Sequence, residues 1–532
     1  MGCWTNLPPE IRLMILGTVA EDYRFNSEPY ARAGYASVCQ EWQQVFEPRN
    51  FQRLVLDQAR ISDLKKFMGK KANRHKRDYL EHLFLRVKLS EYDCTVCQSK
   101  EDDETTRNNN EIFTRAIWDL LVILSKWTGF VGTRRQQGLT LELGAYSPSD
   151  SKHAFRDFHL ESDYPYQERA DFDIDFKGYK LRAERLGLGS LNDPYHGWVD
   201  GHRSDVALEA KQRIMGTLTI NPDLLESAMS AKKVPKVKIV TGLLIRRQFY
   251  RKIAVRSLEN LIHNTFTCLQ WFRHEWWHDV DPQQQLSFEN EYKTLILKTL
   301  PSTLRELCIF EDFNKILHPE RHPMRRANRS LGKALSTSSR FLELLSAAFL
   351  VEAKDFFTDF WPTKEPNPNV IPWANLRTLA LTSGLLDPRI GQQDINNLLI
   401  AASRAAAFMP KLEMMEIWNG GKGHVCVFGY TNNTRGARIR WANNWGKIAP
   451  QLDPLVVHCW KNLPRHGQHP HGNFEVANEQ IRKSCKRIKT HGMILRYLKT
   501  RKFVVDTVSL YQLWWEDNKQ HSVSNEGQGQ TQ

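Results

Sequence analysis

The sequence predicts an α/β protein: a three-helix N-terminal module, then an irregular leucine-rich-repeat-like solenoid closed by a C-terminal cap. Three observations predict it. Apolar residues recur at helical spacing over the first fifty positions. A pattern L-x-x-L-x-L, with L any bulky apolar residue, then recurs along the chain. Helical stretches fill several of the gaps, and strands alternating with helices favour a largely parallel sheet.

The N-terminal module opens on Leu7-Pro8-Pro9-Glu10-Ile11. A proline in the first helical turn loses no hydrogen bond, because that N–H has no partner in the helix. Ile11, Met14, Ile15 and Val19 follow at three- and four-residue steps and give an amphipathic helix. A break comes at Asn26-Ser27-Glu28-Pro29. A second helix is expected over 30–39 and a third, short one running towards Phe46. Val38, Cys39 and Trp42 make an apolar cluster. Three short helices in so few residues build a thin core and leave apolar surface for a partner or a neighbouring domain.

In L-x-x-L-x-L the last two apolar positions alternate and so face one side of a strand. Matches are Phe51/Leu54/Leu56, Leu80/Leu83/Leu85, Met215/Leu218/Ile220 and Val240/Leu243/Ile245. They continue with Phe266/Leu269/Trp271, Leu304/Leu307/Ile309, Leu342/Leu345/Ala347, Leu376/Leu379/Leu381 and Leu412/Met415/Ile417. From Phe266 the starts fall 38, 38, 34 and 36 residues apart. These steps exceed the ~20–29 residues of standard leucine-rich repeats and leave room for a longer helix or loop in each. Residues 111–128, 251–264 and 394–408 carry helical spacing.

The polar run 101–110 is expected to be a loop, and 147–213, with Pro148, Pro165 and Pro194, a long insertion. Trp361-Pro362 opens a proline-rich connection to Pro372. Beyond Ile417, residues 425–430 and 437–441 alternate like a hairpin turning at Asn432-Asn433. A helix over 481–499 and a closing strand over 503–508 complete the expected cap. The predicted division is a helical module 1–50, a repeat body 51–420, a capping region 421–515 and a disordered tail 516–532.

Composition narrows the function. Of 532 residues, 41% are hydrophobic and 25% charged, the ordinary globular balance. No stretch approaches the ~20 apolar residues that span a bilayer. The opening Met1-Gly2-Cys3-Trp4-Thr5-Asn6 has neither a secretory pattern nor the Ser or Thr of a myristoylation signal. Nine scattered cysteines suit a reducing compartment, cytoplasmic or nuclear, rather than a disulfide framework. The net charge of +14 gathers at 70–77, Arg246-Arg247, Arg325-Arg326 and 483–489. None of these runs interleaves with aromatics, so they read as solvated faces rather than a nucleic-acid surface.

Two motifs bear on catalysis and metal. His274-Glu275-Trp276-Trp277-His278 fits H-E-x-x-H, which on a helix binds zinc and supplies a general base, with Glu289 or Glu291 as a later ligand. It directly follows the Phe266/Leu269/Trp271 strand, which places it at a strand end or loop and spoils the shared face. Cys94-Thr95-Val96-Cys97 has no second Cys pair nearby and reads as two loop thiols. His458, His466, His469 and His471 near Cys459 read as a polar loop. No metal, cofactor or catalytic residue is expected.

Leu7-Pro8-x-Glu10-Ile11 with Ile15, then Val38-Cys39-x-x-Trp42, resembles an F-box. The phrases Leu244-Ile245-Arg246-Arg247-Gln248, Phe310-Glu311-Asp312-Phe313 and 344–349 are similar to the uncharacterised C-terminal region of fungal F-box proteins. That resemblance implies docking onto a Skp-type adaptor of a cullin ubiquitin ligase through Leu7, Pro8, Ile11, Ile15, Val38, Cys39 and Trp42. The chain would then be a non-catalytic substrate receptor for an unknown protein. Repeat register makes Gln270, Phe272, Cys308, Phe310, Thr382, Glu416 and Trp418 the candidate partner-binding face. A ligase-independent interaction scaffold and a zinc hydrolase are the alternatives.

Overall fold

The computed structural model describes residues 4–26, 32–127, 138–156, 190–203, 206–224, 234–318, 328–365, 369–421, 423–446, 451–463, 473–482, 488, 490–510, 512–513 and 516. They belong to two compact units. One is Met1–Ile253 with Asn264–Cys268; the other is Ala254–His263 with Leu269–Gln532.

In the first unit, three helices lead: α1 (Pro9–Asn26), α2 (Arg32–Tyr35) and α3 (Gln40–Gln52). Their core is small. Leu16, Ala20 and Phe46 are buried, with Trp4, Tyr35 and Trp42 packed around them. Trp42 stacks on Phe46 with ring centroids 5.4 Å apart. Strands β1 (Arg53–Leu56), β2 (His82–Lys88), β3 (Leu139–Tyr146) and β7 (Val240–Ile245) then lie side by side in chain order, all parallel. Two small pairs stand apart from them: β4 (Trp198–Val199) with β5 (His202–Arg203), and β6 (Thr217–Leu218) with β8 (Lys252–Ile253).

In the second unit the order is β9 (Trp271–Trp277), β10 (Glu306–Asp312), β11 (Leu344–Ala348), β12 (Thr378–Thr382), β13 (Met414–Gly421), β14 (His424–Asn433), β15 (Gly436–Asn443) and β16 (Asn473–Gln480). Strands β9 to β13 are parallel, β13–β14 and β14–β15 antiparallel, and β15–β16 parallel again. Register aligns Leu307, Leu345, Leu379 and Met415 in one row, and Ile309, Ala347, Leu381 and Ile417 in the next. All eight are buried. Side chains two apart on a strand share a face, so the alternation read from sequence becomes an apolar layer. Helices Pro282–Lys298, Arg329–Ser338 and Gln392–Ala406 connect these strands. Asp281 and Asn328 accept the first free N–H groups of two of them, and Pro282 sits in the first turn.

The predicted fold class is therefore corrected. The β-structure is large, mixed and mostly parallel, twelve strands with four in the first unit and eight in the second, and helices between them. It is not an F-box module followed by a capped solenoid. No connecting residue separates the N-terminal helices from the sheet: α3 ends at Gln52 and β1 begins at Arg53. The supposed cap joins the sheet too, because β14, β15 and β16 continue the ladder from β13.

Other expectations shift for local reasons. The polar run 101–110 opens the helix Asp103–Leu124, because the Asp102 side chain accepts from the Thr105 N–H at 2.7 Å and caps it. The closing strand expected over 503–508 begins instead as a short helix, Arg501–Val504. Met215/Leu218/Ile220 contributes only the two-residue β6, outside the main strands. The tail from 517 onward, residues 157–189 of the expected insertion, Arg325-Arg326, and His466, His469 and His471 lie outside the described residues.

Gly436 shows what the hairpin demands. Its φ is +126°, and a Cβ there would meet the Asn473 carbonyl oxygen at 2.2 Å. Gly436→Ala is expected to lower unfolding stability by about 1–3 kcal/mol, the usual scale of such backbone strain. Urea unfolding measures it, and an unchanged midpoint would count against this turn.

Candidate functional site

The second unit carries a row of carboxylates on the sheet face opposite its helices. Glu275 on β9, Asp312 on β10 and Glu416 on β13 are each no more than 1% exposed. A buried carboxylate needs hydrogen-bond donors or cations. The donors come from residues 490–510 of the same chain. Glu416 accepts from Lys499 N at 3.1 Å, Thr500 N at 2.8 Å and the Thr500 hydroxyl at 2.6 Å. Glu275 accepts from the Asp506 N–H and the Ser509 hydroxyl. His491 Nε2 lies 2.9 Å from Asp312 Oδ1. Arg273 donates to the Lys502 carbonyl at 2.9 Å, and Arg440 to that of Tyr497 at 2.8 Å.

Apolar packing fills the space between these bonds. Ile494, Leu495, Leu498, Val504 and Val505 form one buried cluster with Phe310, Ala348, Ala380, Trp418, Val425 and Val427. Gly420 lets the segment come close: a Cβ there would meet Ile494 Cδ1 at 2.2 Å. Burial pushes the Glu275 carboxyl up to about 7, with the neighbouring Asp506 adding to the rise and Arg273 opposing it.

The candidate partner-binding residues can now be placed. Cys308, Phe310, Thr382, Glu416 and Trp418 are buried on the face that residues 490–510 cover. They are not a free recognition surface: Phe310 and Trp418 pack against that segment, Glu416 takes its hydrogen bonds from it, and Thr382 accepts from the Phe349 N–H. Gln270 is exposed and precedes β9. Phe272 points the other way. It pairs with Leu307, and its strand neighbours His274 and Trp276 pack on Tyr292 and Phe288 of the helix Pro282–Lys298. The sequence register had slipped by one residue at β9, which turns every side chain to the opposite face.

H-E-x-x-H lies along β9 and just beyond it. His274 contacts the Tyr292 hydroxyl at 3.3 Å, and His278 lies 3.0 Å from Glu311. Four residues along a strand separate the two rings by about 13 Å, too far to share an ion. Glu275 faces away from both. The zinc-hydrolase constellation is not assembled here. Among the described residues, the group able to hold a metal is Cys94, His153 and His196 in the first unit.

On the N-terminal helices and the residues beside them, Leu7, Pro8, Ile11, Ile15, Val38 and Cys39 are exposed and Trp42 is half-buried. The basic run 70–77 is partly engaged within the fold. Lys76 pairs with Glu47 at 2.9 Å and lies over the Phe51 ring, while Arg77 lies over Trp127. No described helix is long and apolar enough to cross a membrane.

Comparison with known families corrects the F-box resemblance. Residues 299–506 match a family of unknown function (DUF6546), and no F-box or leucine-rich-repeat match accompanies it. No curated protein matches the chain. The matched stretch runs from just before β10 into the segment that covers the sheet. Its long range includes Asp312, Glu416, His491 and Thr500, two of the three buried carboxylates and their partners. Sequence reading missed these contacts because the partners lie 80 or more residues away and two of the donors are backbone N–H groups.

The raised Glu275 carboxyl fixes a pH prediction. The folded chain holds that proton where the unfolded chain has released it. Its contribution to stability is therefore present below the ordinary carboxylate range and is lost as pH rises towards about 7. Glu275→Gln is expected to remove that slope between pH 4.5 and 7. Melting temperatures of both proteins across the window test it, and parallel curves would refute the assignment.

Proposed function

We propose that this chain is a non-catalytic protein-binding scaffold whose partner covers the N-terminal helices. The observation that carries the reading is the uncovered apolar face there. Met14 is 66% exposed, Val38 59%, Leu13 53% and Ile11 40%, with Leu7 and Ile15 close to that. Ile11, Met14 and Ile15 stand three and four residues apart on α1 and so form one stripe. Single exposed apolar residues are ordinary on any protein, but a stripe with an aromatic cluster behind it marks an interaction face.

Other features support the same reading. The sheet face that carries most of the sequence-derived candidates is occupied by the chain itself, whereas the apolar residues of the helices are exposed. The one catalytic motif in the sequence is spread along a strand. Burying an aliphatic side chain contributes about 1.5–3 kcal/mol, so three or four of these residues are enough to anchor a partner.

A narrower form of the proposal is docking of a Skp-type adaptor, which would carry the chain to a cullin ubiquitin ligase as receptor for a protein substrate. Exposure of Leu7, Pro8, Ile11, Ile15, Val38 and Cys39 supports it, without the family identification that first suggested it. The seven described cysteines form no disulfide, in keeping with the cytoplasm or nucleus.

Met14→Asp combined with Val38→Asp tests the proposal. Both sites are exposed, so the melting temperature should not change. Retention of partners in affinity purification is expected to fall about tenfold or more. Identical partner sets from the two proteins would remove the reading. Co-purification with a Skp-type adaptor distinguishes the narrower form: a complex lost in the double variant supports it, and no complex with the intact chain ends it while leaving the wider proposal standing.

A further inference from the structure

Three side chains from separate stretches of the first unit converge on one point. Cys94 belongs to the turn after β2, His153 follows β3, and His196 precedes β4. Cys94 Sγ lies 3.7 Å from His153 Nδ1 and 3.6 Å from His196 Nε2, and the two ring nitrogens are 3.0 Å apart. Tetrahedral zinc, with Zn–S of about 2.3 Å and Zn–N of about 2.0–2.1 Å, sets its sulfur and nitrogen ligands about 3.6 Å apart and two nitrogens about 3.3 Å apart. The triangle matches that size.

The outward nitrogens fix what the inward ones offer. His196 Nδ1 lies 2.7 Å from Asp193 Oδ2, and His153 Nε2 lies 3.5 Å from the Tyr92 carbonyl oxygen. A carboxylate and a carbonyl can only accept, so each ring carries its proton on the outer side. Two lone pairs then face each other across 3.0 Å with a sulfur beside them. That arrangement is repulsive until a cation enters it. A histidine ligand whose other nitrogen is bonded to a carboxylate or carbonyl is the usual support of a metal site.

We propose that the first unit holds a structural zinc ion on Cys94, His153 and His196, with Cys97 as the fourth ligand. Cys97 is buried in the same turn, three residues on, with Sγ 3.3 Å from the Cys94 carbonyl oxygen. The C-x-x-C spacing of Cys94 and Cys97 is the one in which two thiolates of a single turn share a zinc ion. Two sulfurs and two imidazoles suit zinc among divalent ions, and each thiol releases its proton on binding. The loops are held ready. Asp193 and Trp198 exchange backbone hydrogen bonds of 2.7 and 2.9 Å, the buried Trp198 ring donates to the Ala154 carbonyl, and Tyr195 donates to that of Cys94. The ion ties segments 43 and 59 residues apart in sequence, a closed set of ligands that serves folding rather than catalysis.

The full chain is purified from zinc-supplemented medium for metal analysis and then exchanged with cobalt. Roughly one zinc per chain is expected, together with the intense ligand-field bands of tetrahedral cobalt and a thiolate charge-transfer band. Cys94→Ser and His196→Ala should each lose the metal, and Cys459→Ser should keep it. Cys97→Ser should halve the charge-transfer band; full intensity would overturn its assignment. Absence of stoichiometric metal and of a tetrahedral cobalt spectrum in the unaltered chain would overturn the site. That measurement decides even where a variant fails to fold. Metal retained by both Cys94→Ser and His196→Ala would place it elsewhere and overturn it equally.

Discussion

Buried carboxylates set the terms for the second unit. Glu275, Asp312 and Glu416 sit buried on one sheet face among Phe310, Ala348, Ala380 and Trp418. An ionised carboxylate taken out of water without donors costs several kcal/mol, far more than one added methylene can offset. The face can therefore be closed only by a segment that offers donors at matching places. Residues 490–510 do so with backbone N–H groups at Lys499, Thr500 and Asp506, the hydroxyls of Thr500 and Ser509, and the ring of His491. The apolar side chains between those donors then pack against Phe310, Ala348, Ala380 and Trp418. Removing the segment would open an apolar layer and strand the charges together, so it behaves as part of the core.

The first unit meets a similar demand with cations. Glu142, 2% exposed, would be raised by burial alone, but Arg246, His82 and Arg53 outweigh that and hold it down at about 2. Here the partners are strand side chains, with His82 Nε2 2.6 Å away and Arg246 alongside. The contrast explains why one carboxylate binds its own sheet together while those of the second unit recruit a distant segment. Arg246 was legible as part of a basic cluster. Its role was not, because charge counted along the chain does not show which acid folds beside it.

The sequence was most legible where spacing alone carries the physics. Leu307, Leu345, Leu379 and Met415 line up as the repeating pattern requires. It failed where a polar or aromatic residue takes an apolar position. On β9 it is Phe272 and His274 that align with Leu307 and Ile309, so a search for Leu269 and Trp271 slipped the register. Strand β3 was missed because Gln136 stands where the pattern wants its first apolar residue, although Leu139, Leu141 and Leu143 alternate in plain view. Of the Cys94, His153 and His196 cluster only the Cys94-x-x-Cys97 spacing left a local trace, and the two histidines left none. Ligand spacing identifies a metal site when the turn that holds it is short, and these ligands meet only after the strands have paired.

Where a partner can bind follows from which apolar surfaces the fold has already used. Pattern alone assigns exposure to the strand face opposite the helices, and that logic selected Phe310 and Trp418. Both are fully buried, because an apolar face interrupted by carboxylates is a good seat for a segment rich in free N–H groups. The helix stripe of Ile11, Met14 and Ile15 is different in kind. Its backbone groups are satisfied within α1, and it offers only hydrocarbon. The partner proposed for it would supply apolar area rather than donors, and the described residues of the first unit leave it exposed. The thin core of Leu16, Ala20 and Phe46 behind it cannot shrink to hide the stripe, because those residues already fill the space between α1 and α3. A protein surface of matching shape, as the proposed function has it, would take the stripe out of water.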